Sequence, residues 1–428
     1  MSSSAAEGIS VTIDQNEFLS DGADTVDAIV TVQTDNDLMV AAPAQERLEI
    51  LIIDCSGSMK SKNKFAGALR ATTAAIDAMP EGTRFAIVEG TAMARLVFPT
   101  DVPSLPANAD SRAAARRAVD RLRANGGTSM GSWLGQARQL AQKHPGAMAH
   151  AILLTDGKNE HEHADALGEE IEKSEGVFTC DCRGVGTDWR VDELRRIATA
   201  LHGTVDIVAD PAELAADFTA LLHASMARSI PELTLRVWTP VGATVRFVKQ
   251  VAPAIEDLTA RRVESSAQVG DYPLGAWGVE DRDYHVEVRV EPAAAGREKL
   301  AARVSVLAGD QVLGQGLVKA VWTTDTELST RISRRVAHYT GQAELAEVVQ
   351  EGLAARKSGD IETATAKLRR AVQLAAESGN DGTAKLLRGV VEVDEQHGTV
   401  RLRSGVAAAD EMALDARSTK TARVRQED

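Results

Sequence analysis

Three side chains that end in a hard oxygen stand at alternate positions of one short turn, Asp54-Cys-Ser56-Gly-Ser58. A threonine, Thr128, lies in the Gly-rich stretch Asn125-Gly-Gly-Thr-Ser-Met-Gly131, and a second aspartate, Asp156, closes the apolar run Ala149-His-Ala-Ile-Leu-Leu-Thr-Asp156. Together these residues offer two carboxylates and three hydroxyls. That donor set suits a small divalent cation, since Mg²⁺ takes oxygen ligands in near-octahedral geometry and keeps several waters. A D-x-S-x-S turn by itself is also an ordinary turn former and helix cap. The chemistry therefore depends on elements that bring three distant stretches to one place.

Leu48 to Ile53 is apolar apart from Glu49, the pattern of a strand buried on both faces of a mainly parallel sheet. It stops at Asp54, and Phe65, Leu69, Ile76 and Met79 then repeat at helical spacing. In open α/β sheets a ligand sits in this strand-to-helix crevice. Asp156 ends a second such strand, and neighbouring parallel strands end side by side, so the two aspartates can meet. Thr128 is set just ahead of a helix running from Trp133 to Lys143. Strands at 48–54, 83–90, 94–98, 149–155, 177–183 and 205–208 alternate with helices at 62–79, 110–124, 131–143, 163–174, 190–201 and 211–226. The alternation predicts a doubly wound α/β domain. Its 94–98 strand should run antiparallel at an edge, because only a short segment joins it to the strand before.

On Asp54-x-Ser56-x-Ser58, Thr128 and Asp156-Gly157, the sequence resembles the von Willebrand factor type A domain family over roughly residues 46 to 226. The five oxygen-bearing positions match the family's metal-ion-dependent adhesion site. The resemblance implies one divalent cation on the top face, Mg²⁺ first with Mn²⁺ or Ca²⁺ as alternatives, and a protein partner that supplies an Asp or Glu carboxylate. Where hydroxyls supply most direct contacts, the cation keeps enough charge to attract that anion. The chain departs from the commonest family pattern in Glu89-Gly-Thr-Ala-Met93, where a Ser-Asp type turn is frequent, and this bears on the rim rather than the five positions. Gly127, Lys158, His161 and His163 are the candidate partner rim, although Lys158-Asn-Glu-His-Glu-His163 reads first as a solvated loop leading into a helix, with extra metal ligands a further alternative.

A net charge of −14 and an aromatic content of 4% speak against an unspecific nucleic-acid binder. The N-terminus lacks the basic and apolar regions of a signal peptide, and no apolar run approaches bilayer length, so the expectation is a cytoplasmic protein with no membrane contact. Three cysteines suit a reducing compartment. Strand alternation puts Cys180 and Cys182 on one face with Phe178 as small buried residues, and C-x-C lacks the second pair of a zinc site.

Residues 1–45 hold two strands, Ile9 to Asp14 and Val26 to Gln33, which are expected to complete a β-sandwich with strands in 228–325, so that the 46–227 domain is an insertion. Residues 326–392 are expected as a helical hairpin, with Gly359 as a stop and Asp360 as an N-cap, packed on the sandwich or on another copy of the chain. Residues 393–428 have few large apolar side chains and are expected to be largely disordered. There, Thr421 and Thr419 sit among basic residues with Val424 three beyond Thr421, similar to the phosphothreonine motif of forkhead-associated-domain partners and a Ser/Thr kinase signalling set.

The leading functional reading is a non-enzymatic, metal-dependent interaction module. An accessory subunit of an AAA-type ATPase is the alternative, with hydrolysis left to the partner because no G-x-x-x-x-G-K-[ST] loop is present. A Mg²⁺-dependent hydrolase ranks below both. Position 56 is a serine where an aspartate general acid would stand, and no G-x-S-x-G elbow surrounds Ser56 or Ser58.

Overall fold

The structure is a computed structural model that describes residues 8–41, 45–163, 165–394 and 399–424. The chain folds as two units, Pro43–Ser229 and Met1–Ala42 with Ile230–Asp428, so the first interrupts the second in sequence.

In the first unit Leu48 to Asp54 is buried residue by residue, as a strand with neighbours on both edges and helices on both faces requires. The sheet order is 205–208, 179–185, 148–155, 47–54, 84–90, 94–98. Along this order all pairs are parallel except the last, where Ala94–Phe98 runs antiparallel to Arg84–Gly90, as expected; the short Leu105–Pro106 also pairs antiparallel with Arg84–Gly90. Leu51 and Ile53 face the helices 64–78 and 214–227, packing with Ala68, Ala71, Ile76, Leu214 and Phe218. The intervening Ile50 and Ile52 are also fully buried, and each such aliphatic side chain contributes about 1.5–3 kcal/mol by leaving water. From Arg47–Asp54 the chain passes to 84–90 on one side and later returns to 148–155 on the other. The direction of winding therefore reverses between the strands that carry Asp54 and Asp156, which is where an open α/β sheet leaves its binding crevice.

The second unit contains two sheets, ordered 9–15, 25–34, 281–290, 243–252, 256–257 and 263–266, 269–273, 234–238, 298–308, 311–322, 18–19. Thr25–Thr34 pairs antiparallel with Asp281–Val290, and Phe18–Leu19 pairs with the end of Gln311–Trp322, so the N-terminal segment contributes to both sheets. Val26, Ala28, Val30 and Val32 point into the core between the sheets with Leu235, Val286, Val304 and Trp322. Ile29 points the other way and meets Val251, Val336 and Tyr339, where a helix covers the outer face.

That helix, Arg334–Ser358, is continuous across Gly341, although an interior glycine costs about 1 kcal/mol relative to alanine. Val336, Tyr339, Leu345, Val349 and Leu353 along its length are all buried, and this packing outweighs the local propensity. Gly359 stops it in the left-handed conformation (φ 84°), and Asp360 caps Ile361–Glu377 by accepting the Thr363 N–H at 3.0 Å. A third helix follows at Asp381–Val390.

The expectation of a largely disordered 393–428 fails for the residues described there. Val391–Asp394 pairs with Thr399–Leu402, and a helix spans Ala408–Arg417. Few apolar residues suffice because Val400 and Leu414 enter a core that Leu345, Leu368 and Leu387 already define. Beyond the helix the chain lies beside residues 253–255, with Ile255 N–H donating to Thr419 O at 2.8 Å and Thr421 N–H to Pro253 O at 3.0 Å. Composition underestimates such a segment, since a tail needs only to fill a core and not to build one.

Candidate metal centre

The Asp54 carboxylate is held on both oxygens. Oδ1 accepts the Ser56 N–H at 2.7 Å, closing the turn, and Oδ2 accepts the Thr155 hydroxyl at 2.6 Å. Ser56 Oγ and Ser58 Oγ lie 2.8 Å apart, and Ser58 donates to Asp156 Oδ1 at 2.6 Å. The Thr128 loop is tied to this turn by Gly57 N–H to Gly126 O at 2.9 Å and Asn125 N–H to Cys55 O at 2.7 Å. Gly157 faces the meeting point. A methyl group built on it would stand 3.0 Å from Thr128 Oγ1, 3.5 Å from Ser58 Oγ and 3.6 Å from Asp54 Oδ2. Oxygens from two distant stretches thus border a space that a side chain at 157 would fill. Asp54, Ser56, Thr128 and Asp156 are at most 4% exposed, while Gly57 and Ser58 face solvent and give the cradle its opening.

These residues fit a small hard cation. The donors are all oxygens, they are oriented by one another, and the two carboxylates are buried, where charge calls for compensation. Burial is the largest influence on Asp54 and pushes its pKa up to about 6, against the hydrogen bonds from Ser56 and Thr155 and with a small further push from Asp156. Nowhere among the described residues do three or more His, Cys, Asp or Glu side chains gather in a metal-binding cluster. The cradle is of the hydroxyl-rich kind, with two acidic groups.

One cation is already present. Lys64, 1% exposed, donates to Asp156 Oδ2 at 2.6 Å and to Asp188 Oδ2 at 2.8 Å. Burial works to lower its pKa, but the two carboxylates outweigh burial and hold the ammonium charged. Lys62 and Asn63 just before it are both left-handed, with φ of 52° and 58°. For residues other than glycine this conformation costs on the order of 1–2 kcal/mol each.

The rim residues divide. Lys158 and His163 are exposed. His161, also exposed on its outer side, is bound to the Thr128 loop: its N–H donates to Thr128 O at 3.0 Å, its Nδ1 accepts the Thr128 N–H at 3.1 Å, and a side chain at Gly127 would strike its ring. Asn159 Oδ1 accepts the Met130 N–H at 2.9 Å, and Glu162 accepts the Gly131 N–H at 3.0 Å and the Ser129 hydroxyl at 2.6 Å. The 159–162 loop therefore caps the helix Met130–Ala141 and fixes the turn that carries Thr128. In Glu89–Met93, the Thr91 carbonyl accepts Ser129 N–H and Trp133 Nε1–H, and Met93 is 76% exposed. Thr419 and Thr421 lie in the other unit and are half-buried, and the Thr421 hydroxyl donates to Val251 O at 2.7 Å. Cys180 and Cys182 are fully buried with sulfurs 3.9 Å apart.

Sequence reasoning passed over Thr155, Lys64, Asp188 and the capping role of Asn159 and Glu162. For Lys64 a signal existed. A lysine as the first residue of the helix Lys64–Ala78 opposes the helix dipole, so it needs a local anion to justify it.

Residues 49–207 match the von Willebrand factor type A domain model, and residues 373–418 match the von Willebrand factor type A C-terminal domain model. A von Willebrand factor type A protein from Catenulispora acidiphila is 50% identical, covers 99% of both chains and superposes with a TM-score of 0.93. The structure of VWA2, an ArnB paralog from Sulfolobus acidocaldarius, shares the fold at 12% identity, covering 96% of this chain and 98% of that one with a TM-score of 0.60. An uncharacterized protein of Synechocystis sp. is 28% identical over 230 residues, 53% of this chain, and the chain spans about half (52%) of that curated relative. No described helix is long and apolar enough to cross a membrane. With the Catenulispora relative alike from end to end and both family models matched, the chain belongs to the von Willebrand factor type A family.

Proposed function

We propose that the cradle of Asp54, Ser56, Ser58, Thr128 and Asp156 holds one divalent cation, Mg²⁺ in the first instance, and that the protein uses it to bind a partner protein through an Asp or Glu carboxylate. The reading makes it an interaction module and not an enzyme, in keeping with a family whose domains are generally interaction modules. The observation that carries it is the convergence of Thr128 Oγ1, Ser58 Oγ and Asp54 Oδ2 around Gly157, open to solvent at Ser58. When bound, the ion would supply a positive charge able to accept one further oxygen anion. The chain's own residues do the rest: Thr155 and the Ser56 N–H aim Asp54, Ser58 bridges to Asp156, and His161 holds Thr128 in place. Lys158 on the exposed rim adds a charge that favours an acidic partner. A reducing, intracellular setting suits the three buried thiols Cys55, Cys180 and Cys182. The tail threonines are left out of this reading, because a kinase would first have to free the Thr421 hydroxyl from Val251.

The test is a pull-down from native lysate with wild-type and Asp54→Ala protein, each in Mg²⁺ and in chelator. The expected result is a partner retained by wild-type in Mg²⁺ and lost in the other three arms. Retention of the same partner by Asp54→Ala in chelator would refute metal-bridged capture.

A further inference from the structure

Lys64 lies outside the five-residue cradle, yet its ammonium is bonded to one of the cradle's carboxylates. Lysine is among the residues least often buried, and when buried it needs a partner. Here two consecutive left-handed residues turn the chain so that Lys64 points inward, and the aliphatic stem passes against Gly186, where a Cβ would come within 2.9 Å of the lysine Cε. Of its two partners, Asp188 is 61% exposed and solvated, while Asp156 is fully buried. The pairing that matters energetically is therefore with Asp156. Its two oxygens are divided, Oδ1 facing Ser58 and Oδ2 taken by Lys64.

We infer that Lys64 is a resident cation that shares Asp156 with the divalent ion and so sets how tightly the cradle binds that ion. This rests on the cation reading given above. Two carboxylates and one ammonium leave the buried cradle at −1. A divalent ion raises it to +1, and a partner's carboxylate returns it to neutrality. Without Lys64 the two aspartates alone would neutralise the ion, and a partner's anion would gain less. Lys64 is thus a positioning and tuning residue: it weakens the hold on the cation and strengthens the call for an outside anion. A residue that only shaped Asp156 would do the opposite, since its loss would weaken cation binding.

Lys64→Met keeps the stem and removes the charge. Titration calorimetry of the full-length protein with Mn²⁺, and again with Mg²⁺, should show binding ~10-fold tighter than wild-type, because a like charge a few ångströms from the ion is gone. The variant should also gain more thermal stability from the ion than wild-type does, its paired aspartates being unrelieved until the ion arrives. Equal or weaker binding by folded Lys64→Met overturns the inference. If Lys64→Met does not fold even with Mn²⁺, Asp188→Asn serves instead. It removes the exposed anion that shares the ammonium and should bind roughly 2-fold to 3-fold more weakly, and unchanged or tighter binding there overturns the inference as well. If wild-type itself binds neither ion, the cation reading fails first and the role of Lys64 falls with it.

Discussion

The strand Arg47–Asp54 carries a buried carboxylate near each end, and the two have opposite surroundings. Near its start, Glu49 Oε2 lies 2.7 Å from His150 Nδ1, and His150 Nε2 lies 2.9 Å from Asp181 Oδ2. The remaining oxygens are also satisfied: the Ser225 hydroxyl donates to Glu49 Oε1 at 2.8 Å, and the Thr204 N–H donates to Asp181 Oδ1 at 2.6 Å. At its end, Asp54 and Asp156 have hydroxyls around them and a single ammonium to share. The first cluster is closed, every acceptor met from within the fold. The second also sets two carboxylates against one cation, with each of their oxygens bonded, but it is lined by hydroxyls and opens to solvent at Ser58. Buried acidic residues and their charge balance therefore do not distinguish a structural cluster from a binding site, whereas hydroxyl donors beside an opening do.

Breaking the closed cluster should have the largest effect. His150→Leu leaves Glu49 and Asp181 facing each other across the sheet with nothing between them. Loss of one partner from a buried ionic group costs about 3–5 kcal/mol, so the unfolding transition of the Pro43–Ser229 unit should move to markedly lower temperature. Cation affinity, measured on protein that remains folded, should stay as in wild-type. A loss of affinity equal to that of Asp54→Ala would mean that the two ends of the strand are not independent.

Filling the open cluster should do the reverse. Gly157→Ala places a methyl 3.0 Å from Thr128 Oγ1 and within 3.6 Å of Asp54 Oδ2, and Mn²⁺ affinity should fall by ~10-fold or more, about 1.4 kcal/mol. Thermal stability without added cation should change little. A variant that binds as well as wild-type would show that the space beside Gly157 is not where the ion sits.

The closed cluster also carries a pH dependence. Burial alone would lower the pKa of His150, but Glu49 and Asp181 outweigh it and raise it to about 9, from 6.5 for the free side chain, while His150 in turn holds Asp181 well below the carboxylate range. A histidine whose pKa is raised by folding contributes its full stabilisation below pH 6.5 and loses it as the pH rises through about 9. Thermal unfolding in chelator should show the first unit weakening over that window. His150→Leu should lack the slope, and a wild-type profile that is flat there would contradict a charged His150.

The sheet, its winding and the five oxygen-bearing residues were legible because each depends on short-range pattern. Apolar runs ending in Asp54 and Asp156 mark strand ends, and parallel strand ends meet whatever lies between them in sequence. For Lys64 the sequence signalled the need for an anion but not which one, since its partners Asp156 and Asp188 lie 92 and 124 residues away. Glu49 stood out as the one polar residue of an apolar strand, but nothing nearby indicated that His150 and Asp181 would face it. The short edge strand Val263–Ser266 was missed because its residues are all exposed and carry no apolar alternation, and its inner neighbour Val269–Pro273 because Gly270, Asp271 and Pro273 read as turn residues. The tail was misjudged for the opposite reason, its few apolar residues being placed where a core already waited.

The loop 159–162 supplies acceptors to the first turn of a helix that begins at Met130. Thr128 is consequently located by a segment 33 residues downstream as much as by its own neighbours. The number of residues between Asp156 and the helix Ala166–Ser174 is then a design constraint on the chain. A single deletion there would shift a hydroxyl on another loop, whereas the outward-facing side chains of Lys158, Glu160 and His163 can be exchanged to re-aim the surface toward a new partner.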